Sequence, residues 1–162
     1  MPLRGAPRLE RMTIEIGQQA PDFTLKNQHG EDVSLAALRG RTVVLVFYPF
    51  AFTGVCTGEL CELRDNLADL TADGAEILAI SCDSRFALRV FADQEGYDFS
   101  LLSDFWPHGE VARAYGVFHE QAGAAVRGTF VIDGEGTVRW KVENAIPDAR
   151  SLDDYRAALA AI

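Results

Sequence analysis

The segment "TVVLVFYPFAFTGVCTGELCELRD", residues 42–65, joins an apolar run to a helical pattern through a short loop. Residues 42–48 are nearly all β-branched or aromatic, which is typical of a central strand buried on both faces of a sheet. Pro49 ends this predicted strand. After Cys56, leucines recur at steps of three, four and three residues, which predicts one apolar face on a helix ending near Gly74. These leucines are Leu60, Leu63, Leu67 and Leu70.

The rest of the chain continues to alternate between β-rich runs and helical patterns, which indicates an α/β architecture. The sequence predicts a strand at 75–81, a helix at about 85–94, a strand around residue 101 and a helix near 110–115. "GTFVID" and "TVRWKV" flank a turn at 134–136 and predict a β-hairpin. Ser151 and Asp154 are the predicted caps of a last helix. Together these elements predict a mixed central sheet with helices on both sides.

Length and composition predict one globular domain, because the chain has 162 residues and a hydrophobic content of 48%. We assign residues 12–162 to that domain and expect residues 1–11 to form a flexible extension. The longest apolar run is interrupted by Pro49 and is shorter than the ~20 residues that cross a bilayer. No apolar segment follows the arginines of "MPLRGAPRLERM", so this start does not predict a secretory signal. We therefore expect a cytoplasmic protein that does not span a membrane.

Charge and residue spacing exclude several classes of ligand. A formal net charge of -9 disfavours binding to nucleic acid or to anionic membrane surfaces. Three cysteines are too few for a disulfide framework, which favours a reducing compartment. His29, His108 and His119 lack the spacing of a zinc site, and no glycine-rich nucleotide motif is present. The sequence therefore predicts neither a metal nor a cofactor.

Cys56 lies where the predicted loop meets the predicted helix. A free cysteine is often an inert core residue, and spacing alone does not exclude that interpretation. A thiol in the first turn of a helix, however, faces unpaired backbone N–H groups and the positive end of the helix dipole, which favour the thiolate. Gly54 and Gly58 leave the approach open. Thr53 either caps the helix or donates a hydroxyl hydrogen bond to the site.

The same stretch resembles a known family. "PFAFTGVC" fits the P-x3-T-x2-C pattern of peroxiredoxins, with Pro49, Thr53 and Cys56 in the three fixed places. "APDFTL", "SDFWPHGEVARAYGVF" and "RGTFVID" also resemble peroxiredoxin segments in the expected order, so the resemblance covers about residues 13–162. "FWPHG" and "EQAG" are most similar to the alkyl hydroperoxide reductase E group. "CTGELCELRD" instead resembles the Q-type, or bacterioferritin-comigratory, branch, in which a second cysteine resolves the oxidised first one.

This resemblance implies a thioredoxin-like fold and a set of roles for individual side chains. Cys56 is the implied peroxidatic cysteine, and Arg127 is the arginine that reaches it from a neighbouring strand. Arg127, Thr53 and backbone N–H groups would stabilise negative charge on the leaving oxygen, and Pro49 would shield the thiolate from water. Glu59 would orient the arginine. Without the family, Arg127 is an ordinary solvated residue and Glu59 only a favourable partner of the helix dipole.

The implied activity is a thiol-dependent peroxidase that reduces hydrogen peroxide, alkyl hydroperoxides or peroxynitrite through a sulfenic acid at Cys56. The implied partners are a thiol reductant, such as thioredoxin or mycoredoxin with mycothiol, and a second copy of the chain. Phe105 and Trp106 are either core residues or part of the interface of that homodimer. The rival function is a peroxide sensor or redox-controlled binding protein. A disulfide reductase is disfavoured because the chain has no C-x-x-C pair.

Cys61 is the predicted resolving cysteine, and the spacing predicts that its reaction needs local opening. Five residues on an α-helix separate two Cα atoms by ~8 to 9 Å, whereas a disulfide tolerates only up to ~7 Å. Gly58 lies in the intervening turn and weakens it. Cys61 lies off the leucine face, so we expect it to be accessible. The alternative is a half-buried bystander, as in one-cysteine relatives. Cys82, at a predicted strand end, is expected to be structural.

Overall fold

The computed structural model describes residues 14–162. The predicted flexible extension, residues 1–11, lies outside the described residues, so the predicted domain boundary stays a prediction. Within residues 14–162, no helix is long and apolar enough to cross a membrane. The strands are β1 (Thr24–Asn27), β2 (Asp32–Ser34), β3 (Val43–Phe47), β4 (Glu76–Ser81), β5 (Ser100–Ser103), β6 (Phe118–His119), β7 (Ala124–Ala125), β8 (Arg127–Ile132) and β9 (Val138–Asn144). The α-helices are α1 (Gly54–Asp65), α2 (Leu67–Leu70), α3 (Arg85–Glu95), α4 (Glu110–Ala114) and α5 (Leu152–Ala160).

Seven strands form one mixed sheet in the order β2-β1-β5-β4-β3-β8-β9. β3, β4 and β5 run parallel to one another, and the other neighbours in the sheet are antiparallel. β6 and β7 form a separate two-stranded ribbon. The prediction of a mixed central sheet is confirmed, and the predicted strands and the hairpin β8–β9 lie within two residues of their expected bounds. The edge hairpin β1–β2 was not predicted, because its short strands have no continuous apolar run.

β3 is the central strand that its composition predicts, since all five of its residues are buried. Successive side chains of a strand point to opposite faces, so β3 supplies two separate cores. Val43, Leu45 and Phe47 pack into one core with buried residues of α4. Val44 and Val46 pack into the other with buried residues of α1, α3 and α5. Helices therefore cover both faces of the sheet, as predicted.

The helix predicted to run to Gly74 is wrong in its length. α1 ends at Asp65, and Asn66 follows with φ -115° and ψ 14°, outside the helical region. The backbone N–H of Asn66 and its side-chain amide both donate to the carbonyl of Glu62, at 3.1 and 2.9 Å. An asparagine side chain that bonds nearby backbone competes with helix continuation. The leucine pattern persists across the break because α2 follows at once.

The predicted cap of α5 also differs from the structure. Ser151 occupies the N-cap position, but its side chain accepts no capping hydrogen bond. Asp154 lies in the first turn of the helix, where its charge still favours the dipole. Ser84 makes the bond that Ser151 lacks, because its hydroxyl accepts from the backbone N–H of Ala87 at 3.2 Å and starts α3.

Candidate active site

The loop between β3 and α1 is anchored to the neighbouring strand β4. The backbone N–H of Ala51 donates to Asp83 Oδ2 at 2.9 Å, and the hydroxyl of Ser81 donates to the same oxygen at 2.7 Å. Pro49 is buried in this loop. Phe52 has φ 68°, which is rare for a residue with a side chain and costs about 1–2 kcal/mol. Its ring packs on Phe91 at a centroid distance of 4.9 Å, which helps to offset that strain.

Cys56 is the third residue of α1 and is buried, with only 1% of its surface exposed. The helix begins at Gly54, so the sulfur belongs to the first turn, as the sequence predicts. Thr53 occupies the N-cap position and is itself exposed. Its hydroxyl donates to the carbonyl of Phe50 at 3.0 Å and makes no capping bond. In this conformation Thr53 therefore stabilises the loop rather than the sulfur.

Arg127 reaches Cys56 from the first position of β8. Its Nη2 lies 3.2 Å from Cys56 Sγ, its Nε donates to the carbonyl of Ile146 at 2.6 Å, and its Nη1 donates to Glu59. Only 2% of Arg127 is exposed, so it is not the solvated strand-end arginine of the alternative interpretation. The bonds to Ile146 and Glu59 fix the plane of the guanidinium and direct Nη2 toward the sulfur.

Glu59 follows Cys56 by one turn of α1 and is shared by two arginines. Its Oε1 accepts from Arg127 Nη1 and from Arg150 Nη2, the latter at 3.0 Å. Its Oε2 accepts from Arg150 Nε at 2.9 Å and from the backbone N–H of Arg150 at 2.7 Å. Burial alone would raise the pKa of Glu59, but the hydrogen bonds and charge of Arg150, with the charge of Arg127, lower it below its ordinary value. Glu59 is therefore an ionised, fully hydrogen-bonded carboxylate.

Arg150 is a member of this cluster that the sequence did not predict. It lies just before α5, 91 positions from Glu59, and neither periodicity nor a local motif distinguishes it. Its Nη1 donates to the carbonyls of Phe47 and Gly128 at 2.6 and 2.9 Å and to Thr129 Oγ1 at 3.2 Å. Arg150 thus joins the ends of β3 and β8 to the helix that bears the cysteine.

The charges of this cluster are unequal. Two buried guanidinium groups, Arg127 and Arg150, share one carboxylate, Glu59. The three side chains together therefore carry one net positive charge, and the sulfur of Cys56 lies in contact with one of the two cations, Arg127. Arg127 therefore supplies a cation in contact with the sulfur, where it can interact with negative charge that develops on the reacting atoms.

The other two cysteines differ in their surroundings, although all three are free thiols. Cys61 is half-buried rather than openly accessible, because its Sγ lies 3.4 Å from the hydroxyl of Tyr97 and 3.6 Å from Glu95 Oε2. Cys82 is buried just after β4. Burial, with the charges of Asp104 and Asp83, raises the pKa of Cys82 to about 12.

Within residues 14–162, the histidines, Phe105 and Trp106 are not among the hydrogen-bond partners of Cys56, Arg127, Glu59 or Arg150. His108 contacts the carbonyl of Gly123 at 2.6 Å, and His119 accepts from the N–H of Ala122 at 3.0 Å. Across residues 14–162, no group of three or more His, Cys, Asp or Glu side chains is arranged to hold a metal. Phe105 and Trp106 are not core residues, since 52% and 82% of their surfaces are exposed.

Comparison with known proteins gives a consistent set of relatives. Residues 16–141 match the AhpC/TSA family. Alkyl hydroperoxide reductase E of Mycobacterium tuberculosis is 49% identical over 152 residues, which cover 91% of this chain and 99% of that protein. Peroxiredoxin 2 of Thermoplasma acidophilum is 35% identical over 153 residues, covering 91% of this chain and 75% of that protein.

A solved structure extends the likeness to three dimensions. Peroxidoxin BcpB of Mycobacterium tuberculosis superposes with a TM-score of 0.80 at 35% identity, covering 92% of this chain and 98% of that one. The thioredoxin-like α/β fold expected from the sequence is thereby confirmed. The chain belongs to the AhpC/TSA family of peroxiredoxins.

Proposed function

We propose that this thiol-dependent peroxidase reduces hydrogen peroxide, alkyl hydroperoxides or peroxynitrite at Cys56. The observation that supports this most directly is the contact of 3.2 Å between Arg127 Nη2 and the buried sulfur. The thiolate attacks one peroxide oxygen, an S–O bond forms and the O–O bond breaks. The other oxygen leaves in water or an alcohol after gaining a proton, or in nitrite when the substrate is peroxynitrite. Cys56 loses two electrons and becomes a sulfenic acid.

Stabilising the thiolate does not by itself account for peroxidase rates. A free cysteine with a pKa of ~8.5 is already a few per cent thiolate at pH 7, so full ionisation accelerates the reaction by about thirtyfold at most. Enzymes commonly exceed that factor by orders of magnitude. The remainder is assigned to stabilisation of charge on the leaving oxygen by Arg127 and by N–H groups at the start of α1. The buried Pro49 would limit the access of water to the sulfur.

Cys61 is proposed to resolve the sulfenic acid, after which an external thiol reduces the disulfide. Both cysteines belong to α1, so their Cα atoms are ~8 to 9 Å apart while the helix is intact. A disulfide requires less than ~7 Å, so the first turn must open. Thioredoxin, or mycoredoxin with mycothiol, are the proposed reductants. These donors place the proposed cycle in the cytoplasm, where disulfides are readily reduced.

A homodimer is proposed to form at the carboxyl edge of the parallel strands. β3, β4 and β5 are adjacent and parallel, so the connections that follow them leave the sheet at one edge. These connections bear large apolar side chains with at least half of their surface exposed: Phe52, Phe86, Val90, Phe105 and Trp106. Interfaces between proteins are rich in aromatic residues, and four of these five side chains are aromatic.

Replacing Cys56 by serine is expected to abolish peroxide consumption without unfolding the protein. Serine keeps the size of the side chain but is a poor nucleophile at neutral pH. The measurement is peroxide loss over many turnovers with an excess of dithiol, which also separates an enzyme from a sensor that reacts once. Cys82→Ala, which removes a buried thiol elsewhere, should retain turnover. Rapid turnover by Cys56→Ser would contradict the assignment.

Replacing Arg127 by alanine is expected to slow oxidation of Cys56 by about a hundredfold or more, even at a pH where the thiol is fully ionised. The reason is that Arg127 acts on the breaking O–O bond as well as on the thiolate. The measurement is the second-order rate constant for peroxide as a function of pH. Arg139→Ala, an exposed arginine paired with Asp133, is the matched control. If Arg127→Ala regains the wild-type rate constant at high pH, the role of Arg127 is only to promote ionisation of the Cys56 thiol.

One equivalent of peroxide is expected to produce a disulfide between Cys56 and Cys61. Peptide mapping after blocking of free thiols should identify this linkage, and circular dichroism should show reduced helix content in the oxidised protein. Cys61→Ser should instead accumulate the sulfenic acid. A persistent sulfenic acid in the unaltered protein, or a dominant bond between Cys56 and Cys82, would refute the resolving role.

Sedimentation at micromolar concentration is expected to give twice the monomer mass of 17.8 kDa. Trp106→Glu should shift the protein to the monomer, because a charge in an apolar interface is desolvated without a partner. The control is Ile16→Glu, an equally drastic change at an exposed apolar residue that precedes β1. A monomeric parent protein, or a dimer that tolerates Trp106→Glu, would exclude this interface.

A further inference from the structure

Tyr97 is bonded to both sides of the segment that separates the two helical cysteines. Its hydroxyl lies 3.4 Å from Cys61 Sγ and donates to the carbonyl of Thr57 at 3.4 Å. Thr57 directly follows Cys56, and in an α-helix its carbonyl also accepts from the N–H of Cys61. The carbonyl of Thr57 therefore accepts a second hydrogen bond, from Tyr97. This carbonyl belongs to the turn that has to open before the Cys56–Cys61 disulfide can form.

The position of this hydroxyl is fixed by the packing of its ring. Tyr97 follows α3 and is buried, with 5% of its surface exposed. Its ring stacks on Phe99 at 5.2 Å and meets the edge of Phe91 at 5.1 Å. Burial raises the pKa of Tyr97 above its ordinary value, so the hydroxyl keeps its proton and stays a donor. The ring cannot follow α1 when the first turn unwinds, so its bond to Thr57 has to break.

The second half of α1 is anchored independently of Tyr97. Leu60 and Leu63 pack in the core with no more than 2% of their surfaces exposed, and they flank Cys61 on the helix. Arg64 Nη1 also donates to the backbone carbonyl of Glu95 at 2.5 Å, which ties α1 to the end of α3. Loss of the tyrosine hydroxyl would therefore leave Cys61 in place and loosen mainly the turn around Thr57.

We propose that Tyr97 is a positioning residue of the resolution step, a latch that holds the first turn of α1 closed and slows disulfide formation. The inference rests on the resolving role proposed above for Cys61. The contacts of the Tyr97 hydroxyl with the Thr57 carbonyl and with Cys61 Sγ are both long, so the latch is weak. A neutral hydrogen bond of this kind changes an opening equilibrium by about two- to fivefold.

The chemistry that the latch governs is balanced without another reactant. In the opened form the sulfur of Cys61 attacks the sulfenic sulfur of Cys56. An S–S bond forms, the S–O bond breaks, and the departing hydroxide combines with the Cys61 proton to give water. Glu95 Oε2, 3.6 Å from Cys61 Sγ, is suitably placed to accept that proton first. The step needs no further oxidant or reductant, because the two-electron oxidation of Cys56 by peroxide is now shared between the two sulfurs of the disulfide.

Tyr97→Phe tests the latch, because phenylalanine keeps the ring contacts and removes only the hydroxyl. The control is Tyr115→Phe, which also loses one hydrogen bond to a backbone carbonyl, that of Pro21 at 2.6 Å. Tyr115 lies in the core on the other face of the sheet. Three rates are measured for each protein: hydrogen exchange of residues 54–61 in the reduced form, oxidation of Cys56, and formation of the disulfide after one equivalent of peroxide.

Tyr97→Phe is expected to raise both the exchange rate and the rate of disulfide formation by about two- to fivefold. The rate of Cys56 oxidation should stay within about twofold of the parent, since Arg127 and Glu59 are unaffected. At excess peroxide, less sulfinic acid should accumulate, because faster resolution leaves less sulfenic acid to be oxidised again. Tyr115→Phe should change none of these rates.

Unchanged exchange and unchanged disulfide formation in Tyr97→Phe would overturn the latch. Faster exchange with slower disulfide formation would also overturn it, since the hydroxyl would then serve to aim Cys61. A third outcome is faster exchange in Tyr97→Phe with no Cys56–Cys61 disulfide in either the parent or the variant. It would support the effect of Tyr97 on the turn and refute the resolving role of Cys61. The exchange measurement on reduced protein thus separates the two failures.

Discussion

The carboxylate of Glu59, shared between two buried guanidinium groups, is the interaction on which the site depends. Removing a charge from water costs several kcal/mol unless it is paired, and breaking a buried pair costs roughly 3–5 kcal/mol. Glu59 meets this requirement for Arg150 and Arg127 together, and it does so from the helix that bears Cys56. Glu59 therefore holds Arg127 beside the reactive sulfur. The bonds of Glu59 set the distance between Cys56 Sγ and the guanidinium of Arg127.

Arg150 connects Glu59 to the strands β3 and β8 of the sheet. The pairing of β3 with β8 ends at Val46 and Thr129, and the next carbonyls along each strand, those of Phe47 and Gly128, both accept from Arg150 Nη1. The guanidinium satisfies backbone groups that the sheet leaves open at this point. The two strands can separate there without unpaired polar groups. The side chain of Arg127 starts from the same end of β8 and reaches the sulfur.

The sequence predicted the parts of this arrangement that depend on local pattern. The apolar run of β3 and the position of Cys56 at the start of α1 follow from periodicity and composition. Arg127 was identified only through the family, because a single arginine at a strand start has no local signature of burial. Arg150 lies 91 positions from its partner, and such contacts arise only when the chain folds. Asn66 ended the helix through side-chain bonds that the leucine pattern does not register. Asp83 was also missed. It follows β4, which lies parallel and next to β3, so its position after that strand was a signal that it lies near the loop after β3.

The burial of Cys82 limits which disulfides the three thiols can form. Because burial and two neighbouring aspartates raise its pKa to about 12, the Cys82 thiol stays protonated at neutral pH. Exchange of sulfur partners proceeds through the thiolate, so this cysteine is kinetically silent toward disulfides and electrophiles alike. Protonation and burial of Cys82 thereby both disfavour incorrect pairing within the chain. An alkylating reagent applied to the folded protein at neutral pH would leave Cys82 as an internal unlabelled standard.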